Sequence, residues 1–320
     1  MAYDAERLSH GPSVPRRPDL SPTEAASINP QRRPPVTTHA TAAQTGTTLV
    51  IGANGKTGRC VTERLIAAGM RVRPASRSAE TRFDWEGPET WEPALSGVSA
   101  AYITFHPDLA LPGAAETVGA FADFAVARGV RRLILLSGRG EAGAQVAERR
   151  VQTSGADCTI VRCAFFNQNF EDLLLGAVRQ GVLAMPGEET LEPFVDAEDI
   201  ADVVFAALTD DRHLGQLYEL TGPRLMSLAE VAAEISAAVG RPIRYAPVLP
   251  EDFAQALTVE GLPGDVSDAI AQLAAQVLGG RNASLSDGVA RALGRAPRDF
   301  RGYARATAAA GVWDRDAVAA

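Results

Sequence analysis

Lysine is almost missing from this 320-residue sequence: Lys56 is the single lysine among 31 basic Lys and Arg residues. Chemistry that needs an amine therefore has one place to happen. Cysteine is scarce too. Cys60, Cys158 and Cys163 are odd in number and far apart, so neither a disulfide framework nor a zinc ligand pattern is visible, as expected of a reducing cytoplasm. The four histidines, His10, His39, His106 and His213, form no ligand pair at helical spacing, so no metal site is expected. No apolar run approaches the ~20 residues of a membrane-spanning helix, and the N-terminus has no apolar block of a secretory signal. Positive charge is not in excess. The net charge of −8 favours neither a nucleic acid nor an anionic membrane as partner.

A hydrophobic content of 46 % is that of a globular chain with a substantial core. Residues 1–46 stand apart. Seven prolines among Ser, Thr and Ala, without apolar periodicity, read as a disordered leader. From Thr47 the pattern alternates strand and helix. The stretch TTLVIGANGKTGR carries an apolar β-rich run into Gly52, Gly55 and Gly58, then an amphipathic run through Val61, Leu65 and Ile66. Strand, glycine turn and helix in that order let a backbone approach a pyrophosphate at a helix N-terminus. An ordinary glycine-rich turn is the alternative.

Strands are expected over 48–51, 70–75, 100–105, 132–137 and 159–163, with helices over 56–68, 112–129 and 143–154 between them. Such alternation implies a parallel sheet covered on both faces, with ligands at the carboxyl ends of the strands. Gly52, Arg77, Thr104–His106, Ser137 and Cys163–Phe166 should then converge on one crevice. Past 165 the regularity changes. Helices are expected over 170–180, over 200–208 with Asp196 as N-cap, and over 228–239 between Ser227 and Gly240, with short strands at 183–185, 216–220 and 243–248. The fold class is therefore α/β: a Rossmann-like, doubly wound parallel sheet with a small, helix-rich C-terminal part covering the substrate. The expected division is a leader at 1–46, a nucleotide-binding core at 47–165, and a mainly substrate-covering part at 166–320 that returns some elements to the core.

The end of the second strand bears on the choice of cofactor. A free ribose 2′-hydroxyl is usually held by an acid about 20 residues past the glycine turn. Arg77 occupies that place, between Ser76 and Ser78. A guanidinium fork and serine hydroxyls suit a 2′-phosphate, so NADP(H) is expected over NAD(H). A solvated surface arginine is the alternative.

Assembled, these features resemble the NmrA-like group of atypical short-chain dehydrogenases/reductases over roughly residues 47–313. The carriers are IGANGKTGR, ASRS (75–78), FDWEGPETW, GVRRLILLS, SGADCTIVRCAFFNQNF, EPFVDAEDIADV, YELTGPRLMSLAEV and GRAPRDF. FDWEGPETW and ELTGP are similar to the branch of ergot-alkaloid reductases such as festuclavine dehydrogenase, a secondary-metabolic setting. The resemblance implies that Gly52, Asn54, Gly55, Lys56, Thr57 and Gly58 hold the pyrophosphate, and that Ser76 and Arg77 hold the 2′-phosphate. It implies that Phe83 and Asp84 border the adenine, that Thr104 and Phe105 pass beside the nicotinamide ribose, and that Ser137 stands where this superfamily keeps its catalytic serine. Loop packing for Phe83 and a strand-end cap for Ser137 are the alternatives.

The resemblance also exposes a departure. Reductases of this superfamily usually protonate product with a tyrosine followed four residues later by lysine. None of Tyr3, Tyr102, Tyr218, Tyr245 and Tyr303 has that partner. Two readings follow. One is a reductase of a small-molecule acceptor that is already electrophilic, an iminium, quinone or enone, aligned in a pocket lined by Cys163, Phe165, Phe166 and Asn169. His106 is its candidate proton donor, and Glu141 reads as a solvated first-turn residue of the following helix. The other is a non-catalytic NADP(H) sensor that controls a protein partner. Core packing of the phenylalanines, a buried thiol, a helix-starting Asn169 and a structural histidine are the blander alternatives.

Overall fold

The computed structural model describes residues 46–187 and 190–314; the expected leader lies outside them apart from Gly46. The chain runs β1 (Thr47–Ile51), α1 (Lys56–Ala67), β2 (Val72–Ser76), β3 (Thr81–Arg82), α2 (Trp91–Leu95), β4 (Val98–Ile103), α3 (Ala114–Ala127), β5 (Arg132–Gly138), α4 (Ala142–Gln152) and β6 (Asp157–Cys163). It continues through α5 (Leu175–Gln180), β7 (Val182–Met185), α6 (Ala197–Thr209), β8 (Leu217–Leu220), α7 (Leu228–Val239), β9 (Arg244–Pro247), α8 (Pro250–Val259), α9 (Gly264–Gln276), α10 (Gly288–Leu293) and α11 (Phe300–Ala309).

Seven strands form one sheet in the order β3-β2-β1-β4-β5-β6-β8, every pairing parallel. Parallel strands need crossovers, and the crossover helices cover both faces, so the strands are apolar nearly throughout. Leu49, Ile51, Leu133 and Leu135 face a core shared with α2, α3 and α4. Val50, Ala100, Ile134 and Val161 face the opposite core, shared with α1, α6 and α10. The third core, around Phe170, Phe194, Ile235, Phe300 and Trp313, belongs to the C-terminal part, where β7 and β9 pair as a second parallel sheet.

Local signals in the sequence set the better-placed elements. Asp196 caps α6 by accepting from Glu198 N, and Ser227 with Glu230 forms a reciprocal capping box at α7. β8 and α6 return from the C-terminal half to the main sheet, as expected. The helix expected over 170–180 is instead a 3₁₀ turn at Asn167–Glu171 followed by α5. The reason is tertiary. Asn167 N donates to Val195 O (2.8 Å) and Trp313 Nε1 donates to Phe170 O (2.8 Å), which fixes this segment before a regular helix begins.

Polar groups cross the sheet near its carboxyl edge. Ser137, Arg162 and Glu219 are in register on β5, β6 and β8. Ser137 Oγ donates to Glu148 Oε1 (2.5 Å), Arg162 forks onto both Glu148 oxygens (2.9 and 2.5 Å), and Arg162 also reaches Glu219 (2.9 Å). Glu148, on α4, is buried, and its bonds hold the Arg162 guanidinium well above its ordinary pKa. Removing one partner of a buried pair strands the other charge. Arg162→Leu is expected to lower stability by about 3–5 kcal/mol in denaturant titrations; a loss below about 1 kcal/mol would show that the row is dispensable.

Candidate functional site

The strand order brings the carboxyl ends of β2, β1, β4, β5 and β6 side by side. At β1 the glycines serve three different purposes. Gly52 has φ +71°, and a Cβ there would lie 2.3 Å from Thr104 Oγ1. Gly55 N donates to Gly52 O (2.8 Å) and closes the turn. A Cβ on Gly58 would lie 2.1 Å from Gly52 O, so the third glycine lets α1 pack against the turn. Helix α1 starts at Gly55 with no side-chain cap and no acid in its first turn, which leaves its N–H groups and positive dipole end to an anion.

Asn54 Nδ2 donates to Ser76 Oγ (3.0 Å) and Ser78 Oγ (3.1 Å), tying the glycine turn to the end of β2. Arg77, between those serines, is exposed and has no ion pair among the described residues. Lys56 reaches across to Asp172 (3.1 Å) in the segment after β6. Thr57 is placed differently from expectation. Its hydroxyl is buried and accepts from Tyr102 OH (2.9 Å), so only its backbone can face a phosphate.

FDWEGPETW folds inward. Phe83 is buried, with its ring 4.9 Å from Trp85 and 5.4 Å from Phe121, so it packs the α3 core. Trp85 Nε1 donates to Thr104 O (3.1 Å), and Phe105 stacks 5.1 Å from Trp85. Asp84 Oδ1 accepts from Glu86 N (3.2 Å) within its own turn. Thr104 Oγ1 donates to Ile51 O (3.1 Å), which joins β4 to the glycine turn.

The other expected residues are also redistributed. Ser137 is buried, with its hydroxyl committed to Glu148. Cys163 is buried as well; burial, and then the charge of Glu141, push its thiol well above the ordinary value. Phe165 and Phe166 are both partly buried and diverge, Phe165 onto the C-terminal core and Phe166 onto the α1–α6 core. Asn169 is partly exposed between them and Phe170. His106 stands at the rim after β4. Desolvation of its ring, then the charges of Arg77 and Lys56, push its imidazole below the ordinary value.

Glu141 is the residue whose sequence reading the structure overturns. It is the N-cap residue of α4 and partly exposed, and its carboxyl lies folded back on the end of β5. A Cβ on Gly138 would sit 1.7 Å from Glu141 Oε2, so only glycine admits it. Burial raises its carboxyl to about 8, with Asp108, Glu148 and Glu192 adding in that order. Glu192, between β7 and α6, is itself 98 % buried. Oε1 accepts from Phe165 N (3.1 Å), no hydrogen bond reaches Oε2, and burial raises the group to about 7 against the weaker pull of Phe165 N, Arg139 and Asn282. Asn167, fully buried at the end of β6, has both ends of its amide without a partner. Buried orphans of this kind cost about 1–3 kcal/mol each and call for a polar ligand. The acids had no motif to betray them, because they come from three separate loops.

A family model described as NAD(P)H-binding matches residues 52–211, and the model of the NmrA-like family matches residues 144–303. An NAD(P)H azoreductase of Xenophilus azovorans is 33 % identical over 82 % of the chain and 98 % of its own length. The chain belongs to the NmrA-like family. A festuclavine dehydrogenase of Aspergillus fumigatus is 28 % identical over 81 % of this NmrA-like chain and 96 % of its own. In fold it is similar to the triphenylmethane reductase of Citrobacter sp. complexed with NADP(H), with TM-score 0.68 at 19 % identity over 82 % of the chain and 99 % of that structure. This NmrA-like protein is thus a member of an NAD(P)H-dependent oxidoreductase family, with a nicotinamide cofactor and a small-molecule substrate. Among the described residues no helix is long and apolar enough to cross a membrane, and no His, Cys, Asp and Glu group could hold a metal.

The residues fit such a cofactor: an uncapped helix start, a turn into which no side chain extends, and an unpaired arginine at the second strand. Gly58→Ala would drive a methyl into backbone atoms at 2.1, 2.7 and 3.0 Å. It is expected to weaken nicotinamide dinucleotide binding more than tenfold by fluorescence titration. The raised Glu192 carboxyl has a folded value above its unfolded one, so its stabilisation is complete below about 4.5 and lost as pH rises through about 7. Over that window the free protein should lose up to about 1.4 kcal/mol per pH unit from this group. Glu192→Gln should flatten the slope in denaturation at several pH values; an unchanged slope would contradict the burial.

Proposed function

We propose that this protein is an NADPH-dependent reductase of a pre-activated small-molecule acceptor, an iminium, quinone or enone, working without the Tyr/Lys pair. The observation that carries the cofactor choice is Arg77, exposed and without an ion pair beside Ser76 and Ser78, where an NAD(H) enzyme would need an acid. When bound, NADPH supplies a hydride.

The chain's own residues do the rest. Gly52, Gly55 and Gly58 bring backbone N–H groups to the pyrophosphate, and Asn54 fixes the turn against β2. Lys56, at present paired with Asp172, is placed to exchange that carboxylate for a phosphate. Ser76 and Arg77 would take the 2′-phosphate. Phe165, Phe166 and Asn169 remain proposed as one wall of the acceptor site, where apolar surface excludes water and aligns the acceptor. His106, its imidazole pushed below the ordinary value by desolvation and then by Arg77 and Lys56, stands at the rim of that site. The acceptor class rests on the absence of the superfamily's dyad, and the relatives named as an NAD(P)H azoreductase and a festuclavine dehydrogenase support an oxidoreductase.

Purified protein should oxidise NADPH with at least one acceptor in a panel of quinones, enones and cyclic iminiums, and with simple ketones at a far lower rate. Tight NADPH binding without turnover across the panel would instead favour a redox sensor acting on a protein partner. Arg77→Ala should weaken NADPH about tenfold or more while leaving NADH within about twofold, since a charge-assisted phosphate contact is worth about 1.5–3 kcal/mol. Equal loss for both nucleotides would refute the 2′-phosphate role.

A further inference from the structure

The crevice is electrically divided. Lys56 and Arg77 lie in the loops after β1 and β2, and their charges act on His106 in the loop after β4. Asp108, Glu141 and Glu192 lie on the side of β4, β5 and β6, and the neighbours that act on Glu141 are all acidic. This acidic group is built, not scattered. A Cβ on Gly143 would lie 2.2 Å from Ala110 O, so the start of α4 is pinned against the loop after β4. Asp108 Oδ1 accepts from Ala110 N (2.8 Å) in that loop, which fixes its carboxyl beside Glu141. Gly138 is in register with Cys163, which sets the Glu141 carboxyl over the ends of β5 and β6 together.

Two observations separate Glu141 from a structural acid. Its side chain makes no hydrogen bond and no ion pair among the described residues, whereas neighbouring Arg139 is fully used by Glu219, Asn282 and Ser284. Independently, Glu192 Oε2 sits in the same acidic group, buried and without a hydrogen bond. A carboxyl without a hydrogen bond, near a buried carboxyl with one oxygen unbonded, is a poor stabiliser and a good place for a proton donor.

We propose that Glu141 is the catalytic proton donor to the acceptor, held over Gly138 between the loop after β4 and Glu192. This inference rests on the reductase reading. On an enone, the β-carbon gains the hydride as a C–H bond, and the π electrons shift toward oxygen. The Glu141 O–H bond breaks as that proton joins the enolate, at oxygen or at the α-carbon. The acceptor is reduced by two electrons, the nicotinamide is oxidised, and Glu141 is left as a carboxylate that water reprotonates. A quinone follows the same balance at its oxygen. An iminium needs hydride alone and no proton. Asp108, Glu148 and Glu192 all oppose ionisation of Glu141, Cys163 feels its charge, and the nearby guanidiniums are spent elsewhere, Arg139 on Glu219 and Arg162 on Glu148 and Glu219, so burial and these acids raise the carboxyl to about 8.

The test compares Glu141→Gln and Glu141→Asp with the unchanged protein, using NADPH with a cyclic enone, a quinone and a cyclic iminium. Wild-type enone and quinone turnover should fall above about pH 8. Glu141→Gln should lose that alkaline limb and lower enone turnover by about 10²-fold, at least ten times more than iminium turnover. Glu141→Asp should keep the limb at an intermediate rate, and NADPH fluorescence titration should show both variants folded and loaded. In the protein without nucleotide, the infrared carbonyl band of a protonated carboxyl at pH 7 should lose intensity in Glu141→Gln. Equal losses on enone and iminium, or a persisting alkaline limb, would overturn the donor role while leaving the reductase standing. No wild-type turnover with any acceptor would instead overturn the reductase reading, and the donor role with it.

Discussion

No atom fits between the carbonyl of Gly52 and the first turn of α1. A methyl at Gly58 would lie 2.1 Å from that carbonyl, and one at Gly52 would lie 2.3 Å from the Thr104 hydroxyl. This contact sets how closely α1 approaches β1, and with it how far the helix N–H groups project past the sheet. Other parts of the site hang from it. Thr104 binds Ile51 O, Asn54 reaches the end of β2, and Tyr102 holds Thr57 from beneath. A looser turn would shift the start of α1 relative to Arg77 at the end of β2.

From this anchor the crevice runs from cationic to acidic. Under the proposed reading, phosphates take the end with Lys56 and Arg77, and the reacting part of a substrate the end with Glu141. The polarity follows from topology. The loops after β1 and β2 carry the cations, the loops after β4 and β5 carry acids, and the C-terminal half adds Glu192 and Asp172. The Ser137–Glu148–Arg162–Glu219 row lies beside the acidic end and binds up the serine that the superfamily would use for chemistry. A protein that spends its serine in a structural row and lacks the tyrosine needs either a substrate that takes no proton or another acid.

Much of the fold was legible because it is written in short-range signals. Apolar runs bounded by glycines marked the strands, and Asp196 and Ser227 marked helix starts where the caps are found. Errors fell where tertiary contacts override local preference. The 170–180 segment is broken by its bonds to Val195 and Trp313. Phe83 carries a motif that the resemblance tied to the adenine, yet its ring is needed by the core against Trp85 and Phe121. Thr57 points inward for the same reason. Glu141 looked like any acid at a helix start; only the packing of the 106–110 loop and Glu192 around it changes its character.

The sequence by itself determined the order of strands and helices, the glycine turn, the arginine after the second strand and the missing Tyr/Lys pair. These are properties of residues near one another along the chain, where periodicity and spacing carry the information. Tertiary structure alone decided which polar groups are spent and which are free. Desolvation and the distance between charges depend on segments far apart in the chain, so Ser137 becomes a buried link while burial and neighbouring acids raise the Glu141 carboxyl to about 8.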